Sequence, residues 1–113
     1  MILLQEVLAL HRRLVELHLC MDGIRDFNLL QSAITGQQWY QNIFDMYIHV
    51  AYSINASHLF SDGNKRTCFL VIKELNKFRY YFNDENLTTE ILSLARHTVS
   101  EQEFKARIYN CII

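Results

Sequence analysis

The chain has 113 residues and a formal net charge of −1, and half of its residues are apolar. This length fits one domain, residues 1–113, and is too short for two hydrophobic cores. The apolar content argues against intrinsic disorder, and the charge lacks the basic excess of a generic nucleic-acid binder. Pro is absent and only three Gly occur, whereas sheet proteins need many turns rich in both. The composition therefore predicts an all-α protein.

Apolar periodicity predicts a first helix over residues 2–19, with apolar side chains recurring at steps of three and four residues. Residues 20–25 form a predicted turn, in which Gly23 is free to adopt a positive φ. Asp26 is placed to cap a second helix over residues 27–35 by accepting hydrogen bonds from its free N–H groups. Gly36 and the two residues after it are predicted to break that helix.

Residues 39–56 form a third predicted helix that is apolar on several sides, which is typical of a central helix. A loop over residues 57–63 leads into a fourth helix over residues 64–80. A polar connector over residues 82–86 precedes a fifth helix, predicted over residues 87–97. The sequence Ser-Glu-Gln-Glu at residues 100–103 matches a capping box that opens a sixth helix. The pattern predicts a compact single-domain bundle of about six helices.

Three cysteines, an odd number without C-x-x-C spacing, suit a reduced cytosolic chain better than a disulfide framework. The leucine-rich start is interrupted by charged residues, so it does not match a signal peptide. No stretch approaches the roughly 18 apolar residues that a membrane span needs. We therefore expect a cytoplasmic protein without membrane or direct nucleic-acid partners.

The most informative segment covers residues 58–67 and reads His-Leu-Phe-Ser-Asp-Gly-Asn-Lys-Arg-Thr. Phosphoryl or nucleotidyl transfer requires a protein to hold phosphates, place a divalent cation and remove a proton from the attacking hydroxyl. His58 is the candidate base because imidazole accepts and releases protons near neutral pH. Asp62 is the candidate Mg²⁺ ligand, since Mg²⁺ often takes one carboxylate together with substrate phosphates.

The rest of this segment suits phosphate binding. Gly63, Asn64 and Lys65 would present backbone N–H groups at a helix start. Lys65 and Arg66 add positive charge, and Arg binds phosphate through two parallel hydrogen bonds. Phe60 is expected to anchor the loop in the core. Each residue alone is more often a turn, cap or solvated surface residue, but their convergence on one helix start favours a functional site. The spacings of a P-loop, a calcium loop and a zinc cluster are absent.

The segment resembles the signature of the Fic/Doc family, H-x-F-x-[DE]-G-N-[GK]-R, which corresponds to residues 58–66. The ending Lys65-Arg66-Thr67 is similar to that of the death-on-curing (Doc) toxin branch. The block over residues 23–34 also resembles the Doc-like pattern G-x-R-D-x-x-L-L-x-x-A. The resemblance implies a bundle of about six helices with the motif loop between two central ones. It also implies a nucleoside triphosphate substrate and Mg²⁺.

Most Fic proteins transfer AMP to a protein hydroxyl, with a second glycine where this chain has Lys65 and an arginine where it has Phe69. Doc-like toxins share this departure, so the resemblance implies transfer of the γ-phosphate of ATP. It further implies translation elongation factor Tu as the target, blocked translation, and a separate antitoxin protein. AMP transfer and a catalytically silent binding module remain the alternatives. Trp39 lies either in the family's target-docking flap or in the core.

Overall fold

The loop that carries the motif connects two central helices that pack against each other along much of their length. The structure, a computed structural model, describes the backbone of residues 1–96 and 98–113 and the side chains of residues 1–94 and 98–113. Its six α-helices are α1 (Leu4–Glu16), α2 (Phe27–Gly36), α3 (Ile43–Ala56), α4 (Asn64–Lys73), α5 (Asp84–Arg96) and α6 (Glu101–Tyr109). The described ranges contain two isolated bridges and no strand, which confirms the all-α class.

Helix α3 occupies the centre because it is apolar on several sides. It contacts α2, α4, α5 and α6, and its residues Ile48 and Val50, which lie on nearly opposite sides of the helix, are both fully buried. Burying one such side chain stabilises the fold by about 1.5–3 kcal/mol. The apolar stripes of the other helices complete the same core cluster. The predicted central helix and the bundle of six helices are therefore confirmed.

Side-chain caps fix the starts of several helices. Asp26 accepts from the backbone N–H of Leu29 at 3.0 Å, which confirms the predicted cap of α2. At α6, Ser100 accepts from the backbone N–H of Glu103 at 3.1 Å. The Glu103 carboxylate accepts from Arg107 at 2.8 Å, so the described contacts support the cap without a reciprocal capping box.

Helices α1 and α3 are shorter than predicted. Helix α1 ends at Glu16 because His18 adopts a left-handed φ of 58°, and Leu19 then donates to the carbonyl of Leu14 at 2.9 Å. Helix α3 begins only at Ile43, after a 3₁₀ turn over Gln37–Trp39 that continues from α2. Gly36 thus lies within α2 and does not break it. Trp39 is 80% exposed, which rules out the core alternative for its side chain.

In the second half of the chain, the bounds of α4 and α5 also differ from the predicted ones. The predicted fourth helix is α4 followed by a 3₁₀ segment over Glu74–Phe78, which ends where Arg79 turns left-handed at φ 68°. Helix α5 begins at Asp84, earlier than predicted, because Asn83 accepts from the backbone N–H of Asn86 at 2.9 Å. The predicted end of this helix at residue 97 lies outside the described residues. None of the described helices combines the length and apolarity needed to cross a bilayer.

Candidate functional site

The motif loop, residues 57–63, is held from one side by the turn that precedes α2. The backbone N–H groups of Arg25 and Asp26 both donate to the carbonyl of Leu59, at 2.9 and 3.2 Å. In return, Ser61 donates to the carbonyl of Gly23 at 3.0 Å. Gly23 has φ 129°, and a Cβ there would lie 2.8 Å from the Ser61 hydroxyl, so this close approach requires glycine. The turn and the loop therefore form one short paired unit.

The other side of the loop is fixed by Phe60 and Asn64. The Phe60 side chain is 1% exposed, the position that an anchor requires. The Asn64 side chain accepts from the backbone N–H of Phe60 and donates to its carbonyl, both at 2.9 Å. The amide of Asn64 thus closes a ring of hydrogen bonds on the backbone of Phe60 and fixes the end of the loop. The motif pattern alone gives no signal for this use of the side chain.

His58, the candidate base, lies on the surface in a left-handed conformation with φ 50°. This conformation is uncommon for a residue other than glycine, and surrounding contacts must maintain it. Leu59 donates to the carbonyl of Ile54 across this turn at 3.2 Å, and Nη1 of Arg25 lies 3.3 Å from the carbonyl oxygens of both Ser57 and His58. Arg25 belongs to the upstream block that resembles Doc-like proteins, but its contact with the motif loop is not predictable from that block.

A polar cavity of about 450 Å³ brings the predicted residues together. Nine residues line it, and six of them are predicted site residues: His58, Asp62, Gly63, Asn64, Lys65 and Arg66. The others are Leu19, Asn55 and Ser61. Phe60 is the one predicted site residue outside the lining, because it is buried beneath the loop. The candidate base, carboxylate, helix start and cations therefore share one solvent-accessible space.

The N-terminus of α4 lines one side of this cavity. Gly63 adopts φ 78° at the cap position, and the first bond of the helix runs from the N–H of Thr67 to the Gly63 carbonyl at 2.9 Å. Within the described ranges, the backbone N–H groups of Asn64, Lys65 and Arg66 have no protein acceptor. Unpaired N–H groups and the helix dipole together attract anions.

The two cations of the motif are placed differently. Arg66 donates through Nη1 to the carbonyl of Leu19 at 2.8 Å, so one edge of its guanidinium is already used. Lys65 is exposed, and no side chain or carbonyl in the described parts of the chain accepts from its ammonium group. Lys65 is therefore the more available charge for an anionic ligand.

Asp62 carries a negative charge at neutral pH. The backbone N–H groups of Met21 and Gly63 lower the pKa of its carboxyl below the usual value. The bond from Met21 to Oδ2 measures 2.9 Å. The described side chains contain no group of three or more His, Cys, Asp or Glu residues placed around one metal position. A single exposed carboxylate next to unpaired N–H groups of the described helix start is the kind of ligand that Mg²⁺ takes together with substrate phosphates and water.

A second, largely apolar groove of about 430 Å³ adjoins the polar cavity. Lys65 and Arg66 line both spaces, so the basic pair forms their common border. The apolar walls come from α1, α4 and α5, through Leu14, Phe69 and Ile91 among others. These residues are distant in sequence and lie on three different helices, so helical periodicity does not indicate that they share a groove.

The fold and the cavity define an all-α protein with a polar pocket at the N-terminus of a central helix. The model of the Fic/DOC family matches residues 2–75, more than half of the chain. The chain therefore belongs to the Fic/DOC family, whose members are typically transferases. The match covers α1 to α4, and thus the motif loop and every residue that lines the polar cavity. No curated protein matches the chain.

Proposed function

We propose that this protein is a Doc-like toxin that transfers the γ-phosphate of ATP to a hydroxyl group of a target protein. The observation that carries the proposal is the polar cavity, where His58 and Asp62 share one space with a helix start whose first three N–H groups have no acceptor in the described parts of the chain. Phosphoryl transfer depends mainly on positioning and on stabilisation of phosphate charge, and this cavity offers groups for both.

In the proposed reaction, His58 accepts the proton of the attacking hydroxyl. The hydroxyl oxygen bonds to the γ-phosphorus, the bond from that phosphorus to the bridging oxygen breaks, and ADP leaves. The N–H groups of residues 64–66, together with Lys65, hold the phosphate oxygens. Asp62 would hold Mg²⁺, which neutralises phosphate charge when bound.

Two residues on α4 favour γ-phosphate transfer over AMP transfer. Lys65 replaces the second glycine that accompanies AMP transfer and places an ammonium group between the two cavities. Phe69 stands where the AMP-transferring pattern has an arginine, and its ring lines the apolar groove. One turn beyond Lys65, the helix therefore offers apolar surface where that arginine would bind phosphate.

The biological setting follows from the Doc-like resemblance. We propose elongation factor Tu as the target, a separate antitoxin as the restraining partner, and the bacterial cytoplasm as the location. The alternative of a catalytically silent module predicts a folded chain without affinity for Mg-ATP. The retention of His58 and Asp62 in one cavity argues against that alternative.

The deciding experiment incubates the purified protein, Mg²⁺ and a bacterial lysate with γ-labelled and α-labelled ATP in parallel. We expect label from γ-labelled ATP alone on one dominant band of the size of elongation factor Tu. Label from α-labelled ATP alone would identify an AMP transferase and overturn the kinase assignment. A folded protein that labels nothing and does not bind Mg-ATP would support the silent module.

Asp62→Asn is expected to weaken Mg-ATP binding by about tenfold or more, because a charge-assisted metal contact is lost. The fold should persist, since the amide oxygen of Asn can still accept from the Met21 N–H. Titration calorimetry with and without Mg²⁺ measures the effect, which should vanish when Mg²⁺ is absent. Asp84→Asn is the matched control, because Asp84 is an exposed acid that pairs with Lys73 outside the polar cavity. Equal Mg²⁺ dependence in wild type and Asp62→Asn would contradict the metal-ligand role.

A further inference from the structure

We propose that His11 is a positioning residue that sets the geometry of the phosphate-binding helix start from beneath the motif loop. The expected effect of His11 on Mg-ATP binding rests on the proposed function, whereas its effect on the geometry of the loop does not. His11 lies on α1 and is 4% exposed. The apolar periodicity of residues 2–19 places His11 within a helix, and the sequence predicted only a surface or packing role for it.

Two contacts join His11 to the loop. Its ring stacks on the ring of Phe60, with centroids 3.9 Å apart and planes 8° from parallel. Its Nε2 lies 3.0 Å from the carbonyl oxygen of Asp62. A carbonyl oxygen can only accept, so Nε2 must carry the proton and donate it. One side chain thus holds both the anchor of the loop and the peptide unit that follows the candidate metal ligand.

The peptide unit between Asp62 and Gly63 explains why this bond matters. Because a peptide unit is planar, fixing the direction of the Asp62 carbonyl also fixes the direction of the Gly63 N–H. The carbonyl points inward to His11, so the N–H points away from it, toward the side of the Asp62 carboxylate, whose pKa it lowers. The same restraint supports the left-handed turn at Gly63 that opens α4.

The space around Gly63 shows that the restraint is tight. A Cβ on Gly63 would lie 2.7 Å from Sγ of Cys20 and 3.8 Å from Cδ2 of His11. Cys20 Sγ lies 3.7 Å from Nε2 of His11, a longer and weaker contact than the 3.0 Å bond from Nε2 to the Asp62 carbonyl. His11 and Cys20 thus form the inner wall of the turn, and only His11 provides a strong donor to it.

Two variants separate positioning from packing. His11→Phe keeps an aromatic ring for Phe60 but removes the donor, whereas His11→Gln keeps an N–H donor at a similar reach. If His11 only filled space, His11→Phe would be the milder change. If it positions the loop, His11→Gln should retain more function than His11→Phe.

The first measurement is hydrogen exchange without nucleotide at the protected backbone amides of Phe60, Ser61 and Thr67. We expect exchange about tenfold faster in His11→Phe, the effect of losing one hydrogen bond, and near wild-type exchange in His11→Gln. Nitrogen NMR of the imidazole should show a proton on Nε2 in the wild type. Unchanged exchange in His11→Phe, or an unprotonated Nε2, would overturn the proposal.

The second measurement is the Kd for Mg-ATP. We expect His11→Phe to bind about tenfold more weakly and His11→Gln to recover most of the affinity. Equal affinity in all three proteins would overturn the link from His11 to phosphate binding. If the wild type itself does not bind Mg-ATP, the proposed function fails, while the exchange and NMR data still decide the positioning role.

Discussion

His58→Asn is expected to lower the rate of phosphoryl transfer by about 10²–10⁴-fold, because the proton of the attacking hydroxyl loses its acceptor. The fold should be unaffected. His58 is exposed, and Asn adopts its left-handed φ of 50° more readily than most residues. The contacts from Arg25 go to the carbonyl oxygens of Ser57 and His58, so they do not depend on the imidazole. Initial rates with γ-labelled ATP and a thermal melt measure the two effects.

His18→Asn is the matched control for this variant. His18 is also exposed and left-handed, with φ 58°, but it does not line the polar cavity. It should keep wild-type activity while experiencing the same chemical change in the same backbone conformation. Full activity in His58→Asn would remove His58 from the role of base. Equal loss in both variants would point to a backbone effect.

Phe60→Ala is expected to destabilise the protein by about 3–5 kcal/mol, because the ring is fully enclosed and its removal leaves a cavity. The ring is 1% exposed and stacked on His11. The loss should extend to nucleotide binding, since the Asn64 amide clamps the backbone of the same residue. Chemical denaturation gives the free energy of unfolding, and calorimetry gives the affinity for Mg-ATP.

Phe78→Ala is the control for the size of this change. Phe78 is 43% exposed and lies at the end of a 3₁₀ segment, so the same truncation removes much less buried surface. We expect a clearly smaller loss of stability and unchanged nucleotide binding. A loss below roughly 1 kcal/mol for Phe60→Ala, within the range of ordinary substitutions, would refute the anchor role.

The His58 and Phe60 variants test two different properties of the site, its chemistry and its stability. His58 should affect the reaction and leave the fold intact, whereas Phe60 should affect the fold and, through the loop, the binding of nucleotide. The contrast follows from position, because the imidazole lies at the surface of the cavity and the phenyl ring lies beneath it. If the polar residues of the cavity were accidental, removing His58 would change neither the reaction nor the fold. The contrast between the two variants would then not appear.

The helices were predictable because their causes are local. Apolar spacing of three and four residues fixes which face of a helix is buried, and caps such as Asp26 act within one turn. Boundaries were less accurate where a residue other than glycine turns left-handed, as at His18 and Arg79. These residues lack the glycine that usually signals such a helix end, and local backbone bonds close the turns: Leu19 donates to the carbonyl of Leu14 at 2.9 Å, and Tyr80 to that of Leu75 at 3.2 Å.

The sequence by itself determined the all-α class, the central position of α3 and the residue types that meet in the polar cavity. Only the tertiary structure decided how these residues are held: Arg25 on the carbonyls beside the candidate base, and His11 beneath Asp62. The physical reason is distance along the chain. Helical periodicity and capping depend on neighbours within a few residues, whereas these contacts join segments up to 51 residues apart.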